Sequence, residues 1–186
     1  MPLRTLAETD LDTVRAWRNA PEVRKGMFST HEITQAEHLA WFARVNQDPH
    51  VRWYMHEDMQ GQADGVVGFT QYRPEMRTAF WGFYLKPGAQ PGAGSRLGLD
   101  GLDHAFSMLN LHKLNAEVIA TNERSLRFHQ RLGFRQEGLF RDAHFDGKQF
   151  VDVLRFSMLE SEWAAAHAAL EQLVTSREAA AQATEK

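Results

Sequence analysis

The spacing of apolar residues predicts two helices in the first 50 residues. Segment 9–19 carries an apolar side chain at every third position, through Leu11, Val14 and Trp17. This period is typical of a helix that buries one face. Segment 30–48 has a similar spacing, with Leu39, Phe42 and Val45 on one face, and predicts a second helix.

Beyond residue 50 the pattern changes to the alternation and aromatic content of strands. The predicted strands, with a short first one at 4–8, are 51–58, 66–74, 78–87, 113–122 and a two-stranded hairpin over 134–159. Helices are predicted over 95–111 and over the short segment that Gly133 ends. This order indicates an α/β (α+β) fold, in which a mixed, mostly antiparallel sheet is flanked by helices.

The C-terminal segment 160–186 differs in composition from the rest. It is rich in alanine and glutamate, and alanine is the strongest helix former. We predict a helix over 160–175 with the last residues frayed. The chain is therefore expected to form one domain over 1–159 followed by a helical tail. The tail could either form a homodimer contact or be a dispensable extension.

Composition narrows the class of protein. The 186 residues suit one domain. No apolar stretch approaches the roughly 18 residues of a membrane span, and the N-terminus has no apolar signal core, so we expect a cytoplasmic protein without a membrane partner.

The absence of cysteine excludes disulfides and thiolate sites. A net charge of -3 with mixed signs disfavours nucleic acid, and the nine histidines lack metal-ligand spacing, so no metal is expected.

The segment 87–95, Pro-Gly-Ala-Gln-Pro-Gly-Ala-Gly-Ser, opens directly into a predicted helix. The first N–H groups of a helix have no partner within it, and the helix dipole places partial positive charge there. The loop therefore suits a pyrophosphate. The alternative is an ordinary connecting loop, because the segment has neither a P-loop lysine nor a parallel dinucleotide-binding setting.

Two spaced motifs carry a resemblance to a known family. The first is Gly-Ala-Gly at 92–94, and the second is Asn-x-x-Ser-x-x-Phe-His-x-x-x-Gly-Phe at 122–134. With the order of elements, they resemble the GCN5-related N-acetyltransferase (GNAT) superfamily over residues 1–159. The resemblance implies the GNAT fold and an enzyme that attacks the thioester of acetyl-coenzyme A (acetyl-CoA) directly with an amine.

The resemblance also implies where the coenzyme would bind. Its pantetheine arm would lie between the strand that ends at Leu85 and the strand 113–122. The implied cofactor-binding residues are Phe83, Tyr84, Leu85, Gln90, Gly92, Ala93, Gly94, Ser95, Asn122 and Ser125. The loop departs from the family pattern at Ala89, where an Arg or Gln is usual, and Gln90 follows one residue late.

Position 129 is a second departure. Many family members have a tyrosine there, which protonates the coenzyme thiolate, whereas this chain has His129. An imidazolium could donate that proton, but its ordinary pKa near 6.5 leaves it partly populated at neutral pH. Both a catalytic role and a surface role for His129 remain open. Tyr84 is the other candidate acid, with core packing as its alternative.

The acceptor amine is sought in the N-terminal third. The Trp-Arg-Asn at 17–19 followed by Glu-His-Leu-x-Trp-Phe at 37–42 is similar to the nucleotide-sugar N-acetyltransferases of pseudaminic acid biosynthesis. Those enzymes acetylate the 4-amine of a UDP-linked amino-dideoxy sugar. The substrate-binding residues implied are Arg18 for phosphate, Asn19 and His38 for hydroxyls or uracil, and Trp41 for stacking.

Two alternatives stay open. The first is a polyamine or ribosomal-protein-type N-terminal acetyltransferase on the same scaffold. A polyamine would need an acidic pocket, and the basic residues of the N-terminal third offset its acidic ones. The second is an acetyl-CoA sensor without turnover. A general base for the amine is sought among His56, Glu57 and Asp58.

Overall fold

The computed structural model describes the backbone of residues 2–184 and the side chains of residues 2–176. The described residues form one seven-stranded sheet in the order β1-β2-β3-β4-β5-β7-β6. The strands are β1 (Leu3–Thr5), β2 (Arg52–Glu57), β3 (Ala63–Arg73), β4 (Thr78–Leu85), β5 (Lys113–Ile119), β6 (Arg135–Phe145) and β7 (Phe150–Leu159). The helices are α1 (Leu11–Asn19), α2 (Pro21–Arg24), α3 (Gln35–Gln47), α4 (Ala93–Asp103), α5 (Glu123–Leu132) and α6 (Glu160–Thr184).

Among the described strands, β4 and β5 make the one parallel pair. They are joined only at Thr78–Lys113, Ala79–Leu114 and Phe80–Asn115. Beyond Phe80 the strands part, although each keeps its antiparallel partner on the other side. The sheet therefore opens as a V between the ends of β4 and β5.

Two apolar clusters cover the two faces of the sheet. The larger one packs α4, α5 and α6 against one face around Phe69, Trp81 and Phe156. The smaller one packs α1 and α3 on the other face around Val14 and Met55. Burial of these side chains supplies the main driving force for the fold.

The architecture predicted from the sequence is confirmed as a mixed, mostly antiparallel sheet flanked by helices. The apolar face expected for α3 was wrong in one respect, because Leu39 is exposed while His38 is buried and stacks on Trp41 at 5.0 Å between ring centroids. Stacking on an indole lets the imidazole take an interior position that the apolar pattern assigned to its neighbour. Helix α3 also begins later than predicted, at a capping box between Thr34 and Glu37.

The tail forms a longer helix than the sequence predicted. Helix α6 continues to Thr184 and packs on the domain through the buried side chains of Trp163, Leu170 and Val174. We predicted that the last residues of the tail are frayed. That prediction lies outside the described residues, because the side chains of 177–186 and the backbone of 185–186 are not described.

Candidate active site

The opening between β4 and β5 is the floor of a large cleft with a volume of ≈ 1360 Å³. One wall is the segment 85–95 with the start of α5, and the opposite wall includes residues 22–28, which we call the rim segment. The cleft is therefore lined by residues from several separate parts of the chain.

The residues implied as cofactor-binding come together here. All of them line the cleft except Ala93, namely Phe83, Tyr84, Leu85, Gln90, Gly92, Gly94, Ser95, Asn122 and Ser125. Their roles toward a coenzyme stay predictions.

The loop before α4 has the local structure of an anion site. Gly92 precedes the helix with a φ of 98°, a left-handed conformation that glycine adopts readily. Among the described residues, no acceptor pairs with the backbone N–H of Gly92 or Gly94. These donors at a helix N-terminus suit a phosphate group, and Lys86, Arg124 and Arg131 on the same wall add positive charge.

Asn122 ties the two walls together. Its Oδ1 accepts a hydrogen bond of 3.1 Å from Ser125 N and so caps α5. Its Nδ2 donates one of 3.2 Å to the carbonyl oxygen of Gly26 in the rim segment. One side chain thus holds the helix that carries His129 and the opposite wall in a fixed relation.

His129 is buried in the cleft wall, with 3% of its surface exposed. Its Nδ1 donates a hydrogen bond of 2.8 Å to the carbonyl oxygen of Ser125. Nε2 therefore carries the lone pair in the neutral ring, and it is buried without a partner among the described residues. Burial lowers the pKa of His129 to about 4. The surface alternative considered for His129 is wrong, and the ring in its resting form is an acceptor.

Tyr84 is placed on the other face of β4, beside the smaller apolar cluster. Burial raises the pKa of its phenol, and the nearby Arg18 guanidinium opposes that shift. The hydroxyl therefore keeps its proton at neutral pH. Because Tyr84 also lines the cleft, it stays a candidate proton donor.

None of the four residues predicted to bind a nucleotide sugar lines the cleft. Arg18 donates to the carbonyl oxygen of Ser29 at 2.6 Å. The side-chain amide of Asn19 is fully hydrogen-bonded to the backbone: Nδ2 donates to Ile33 O and Oδ1 accepts from Ile33 N, both at 2.8 Å. The remaining two, His38 and Trp41, stack on each other. The motif that suggested the sugar thus builds the local structure behind the rim segment.

The base candidates lie outside the cleft as well. His56 is fully buried between two carboxylates, with Nδ1 2.5 Å from Asp64 Oδ1 and Nε2 3.0 Å from Asp100 Oδ2. Burial opposes the charged ring, but the two hydrogen bonds outweigh it and raise the pKa of His56 to about 9. Such an imidazolium has no free nitrogen for a substrate.

Sequence patterns gave no signal for the other half of the cleft. This half contains Glu22, Lys25, Met27, Phe28, Trp53 and Glu117. Glu22 makes no ion pair within the described part of the chain, Glu117 is paired with Arg155, and the buried indole N–H of Trp53 lacks a described partner. Only the tertiary fold brings these residues together, because they come from three separate segments.

Within the described residues, no cluster of histidine and carboxylate side chains is suited to hold a metal ion. In that same part of the chain, no helix has the length and apolarity that crossing a bilayer requires.

Comparison with known proteins agrees with this fold and cleft. A family model described as an acetyltransferase (GNAT) domain matches residues 1–135. The chain therefore belongs to the GNAT family and is an N-acetyltransferase.

Several of the proteins to which the chain is similar are spermidine N-acetyltransferases. The chain is 24% identical over 164 residues to the spermidine N(1)-acetyltransferase of Vibrio cholerae, covering 88% of this chain and 95% of that protein. It is 25% identical over 166 residues to the Escherichia coli K12 protein of that name, covering 89% of both. The crystal structure of spermidine N-acetyltransferase from Vibrio cholerae in complex with CoA and spermine superposes with a TM-score of 0.80 at 26% identity, covering 87% of this chain and 96% of that one. The nucleotide-sugar hypothesis gains no support from these relatives, whereas the polyamine alternative does.

Proposed function

We propose that this protein transfers the acetyl group of acetyl-CoA to a primary amine of a polyamine. The observation that carries the proposal is similarity over nearly the whole chain to spermidine N-acetyltransferases, one of them solved with CoA and spermine. The chemistry of the two cleft walls supports it independently.

The wall formed by 85–95 and α5 fits the coenzyme. The unpaired N–H groups of Gly92 and Gly94 would hold the pyrophosphate, and Lys86 would add charge beside it. The edge of β4 beyond Phe80 is not paired to β5, so its backbone is free to hydrogen-bond the pantetheine arm. Acetyl-CoA would supply the activated acetyl group there.

The wall with the rim segment fits a polyamine. Such a molecule alternates ammonium groups with short methylene chains, so it needs carboxylates and apolar surface in turn. Glu22 has no described partner, whereas the exposed carboxylate of Glu117 next to the parted strands is paired with Arg155 and would have to share that cation's place with an ammonium group. Met27, Phe28 and Trp53 supply the apolar surface between them. Desolvation by these rings would also favour the neutral amine that attacks the thioester.

The decisive experiment pairs an acceptor panel with two charge variants. Coenzyme thiol release is measured with spermidine, spermine, a UDP-linked amino-dideoxy sugar and an N-terminal peptide as separate acceptors. We expect release with the polyamines. Release with the sugar or the peptide alone would refute the proposal while leaving the N-acetyltransferase assignment intact.

The two charge variants test the sign of the acceptor. Glu22→Gln should raise the polyamine KM about two- to fivefold, the size expected for one partly exposed ion pair. Lys25→Gln is the matched control on the same segment, and it should lower that KM because it removes a like charge. A UDP-linked acceptor predicts the opposite for Lys25→Gln, since its phosphates are anionic.

A further inference from the structure

A buried cluster of three charged side chains lies outside the cleft, between the sheet and α4. His56 on β2 is fully buried, and its ring lies between two carboxylates. Nδ1 donates to Asp64 Oδ1 on β3 at 2.5 Å, and Nε2 donates to Asp100 Oδ2 on α4 at 3.0 Å. Only an imidazolium can donate from both nitrogens at once, because a neutral ring has a single N–H. The cluster is therefore an ionic link from the sheet to α4.

The two acidic residues of this cluster also stand at the two ends of the loop 86–92, which connects β4 to α4 and lines the cleft. At the start of the loop, the backbone N–H of Lys86 donates to the carbonyl oxygen of Asp64 at 2.8 Å. After its end, α4 begins at Ala93 and carries Asp100 about two turns further on. Both ends of the loop are thus connected to His56, one through Asp64 and the other through Asp100.

Packing holds α4 close to the sheet at the same place. Gly65 is the partner of His56 in the β2–β3 ladder. A Cβ at Gly65 would collide with the side chain of Leu97, so α4 approaches β3 as closely as a glycine permits. Without the positive charge on His56, two carboxylates would face one ring that has a single N–H. Their repulsion would then act to separate α4 from β3.

We propose that His56 is a positioning residue for coenzyme binding, because it fixes the start of α4, where the unpaired N–H groups of Gly92 and Gly94 would receive the pyrophosphate. His56 lies outside the cleft and acts only through the two ends of the loop. Hydrogen bonds weaken steeply when donors move out of line, so the charge on His56 sets the affinity for the coenzyme. The inference rests on the proposed binding of acetyl-CoA in the cleft and not on which amine is the acceptor.

The pH dependence follows from the groups around the ring. Burial opposes the charged ring, but the two carboxylate partners outweigh it and raise the pKa of His56 to about 9. The titratable groups next around the cluster contact one another, namely Glu57 with Arg4 of β1, Tyr54 with His104, and Asp103 with His167 of α6. The link is therefore complete at neutral pH, and the affinity for the coenzyme should fall as pH rises through about 9.

The first test measures that affinity directly. The probe is desulfo-CoA, the coenzyme without its thiol, because a thiol ordinarily titrates near pH 8.5. Its dissociation constant is measured by calorimetry between pH 7 and 10 on the full-length wild type and on His56→Gln. We expect wild-type binding to weaken about 2- to 30-fold over this range, the size of couplings carried by packed networks. His56→Gln should be weaker by the same factor already at pH 7. Lysines of the cleft titrate in both proteins, so the difference between the two curves isolates His56.

A second substitution distinguishes the lost link from general damage. In His56→Gln/Asp100→Asn, the glutamine amide can donate to Asp64 while its carbonyl oxygen accepts from the new asparagine. Both hydrogen bonds are then restored without charge. The double variant should recover the wild-type affinity to within about threefold at pH 7 and lose less of it at pH 10 than the wild type does. Asn19→Ala, which removes hydrogen bonds elsewhere in the fold, is the matched control and should bind as the wild type does.

The same coupling is measurable from the other side without any variant. A ligand that binds the charged form better must raise the pKa of His56 by the logarithm of the affinity ratio. Spectra of the ¹⁵N-histidine-labelled wild type, titrated with pH in the presence and absence of desulfo-CoA, report this shift. An unmoved pKa, or equal binding curves for the wild type and His56→Gln, would overturn the positioning role and leave the coenzyme site intact. If the wild type does not bind desulfo-CoA at any pH, the proposed coenzyme site fails and this inference fails with it.

Discussion

The double role of Asn122 allows a single substitution to separate the two walls of the cleft. In Asn122→Asp, one carboxylate oxygen still accepts from Ser125 N, so the cap of α5 survives. A negative charge at a helix N-terminus is also favourable. The other oxygen now faces the carbonyl oxygen of Gly26, where Nδ2 donated at 3.2 Å. The hydrogen bond to the rim segment is replaced by a repulsion.

The magnitude follows from that one contact. Loss of a partly buried hydrogen bond with its acceptor left unpaired costs about 1–2 kcal/mol. If the rim segment must return to its position to bind the acceptor, the acceptor KM rises about 5- to 30-fold. The acetyl-CoA KM should stay within about twofold, and the melting temperature should fall by about 2–8 °C. Initial rates of thiol release, with each substrate varied in turn, measure both constants.

A matched variant approaches the same contact from the other side. A Cβ on Gly26 would come within 3.0 Å of Asn122 Nδ2, so Gly26→Ala should reproduce the rise in acceptor KM. The reasoning is refuted if Asn122→Asp raises the acetyl-CoA KM and leaves the acceptor KM unchanged. Asn122 would then act on the pantetheine arm alone, as the family resemblance implied.

Three further predictions concern residues away from the reacting atoms. Asn19→Ala leaves both backbone groups of Ile33 unpaired and should lower the free energy of unfolding by about 1–3 kcal/mol in urea titrations. The KM values should not change. A shifted acceptor KM would instead give Asn19 a role in substrate binding. The pKa of His56 is raised above its unfolded value, so its stabilising contribution is complete below about pH 6.5 and is lost as pH rises through about 9. His56→Gln should therefore flatten the alkaline limb of stability against pH, and an unchanged limb would contradict the charged cluster. In Gly92→Ala the new Cβ meets no atom within 4 Å, but the alanine must adopt a left-handed backbone conformation. This strain should lower the stability by about 1–2 kcal/mol and raise the acetyl-CoA KM. Gly94→Ala, whose Cβ makes ordinary contacts, is the control for stability.

The sequence predicted one half of the residues that line the cleft better than the other half. The glycine loop and the Asn122–Phe134 motif are each continuous in the chain, so local spacing was enough to place them. The other half combines the rim segment with β2, β3 and β5, and no local sequence pattern predicts that these segments meet. The Trp-Arg-Asn motif suggested a substrate-binding role for Asn19 for a related reason. Its side chain hydrogen-bonds the backbone N–H and carbonyl of Ile33, and the sequence cannot distinguish such a structural contact from a ligand contact.

The role of His129 shows a different limit. Its position in the motif was visible in the sequence, but its tautomer was not. That depends on the carbonyl oxygen of Ser125 lying one helical turn away with the right geometry. Residue type alone predicted a possible proton donor, whereas the hydrogen bond makes Nε2 an acceptor.

The short junction between β4 and β5 has a consequence for the lifetime of the protein. Three residue pairs connect two blocks of sheet whose internal ladders are longer, with seven pairs in β3–β4 and seven in β5–β7. Separation of the blocks at this junction breaks fewer ladder pairs than separation at either neighbouring ladder, and local openings of this kind expose a chain to proteases. A coenzyme bound across the gap would cross-link both blocks and suppress that opening by mass action. We expect CoA to slow proteolysis at residues 86–92 more than in α3. Equal slowing at both places would refute this. With the expected protection, degradation of the enzyme would depend on the cellular supply of its own co-substrate.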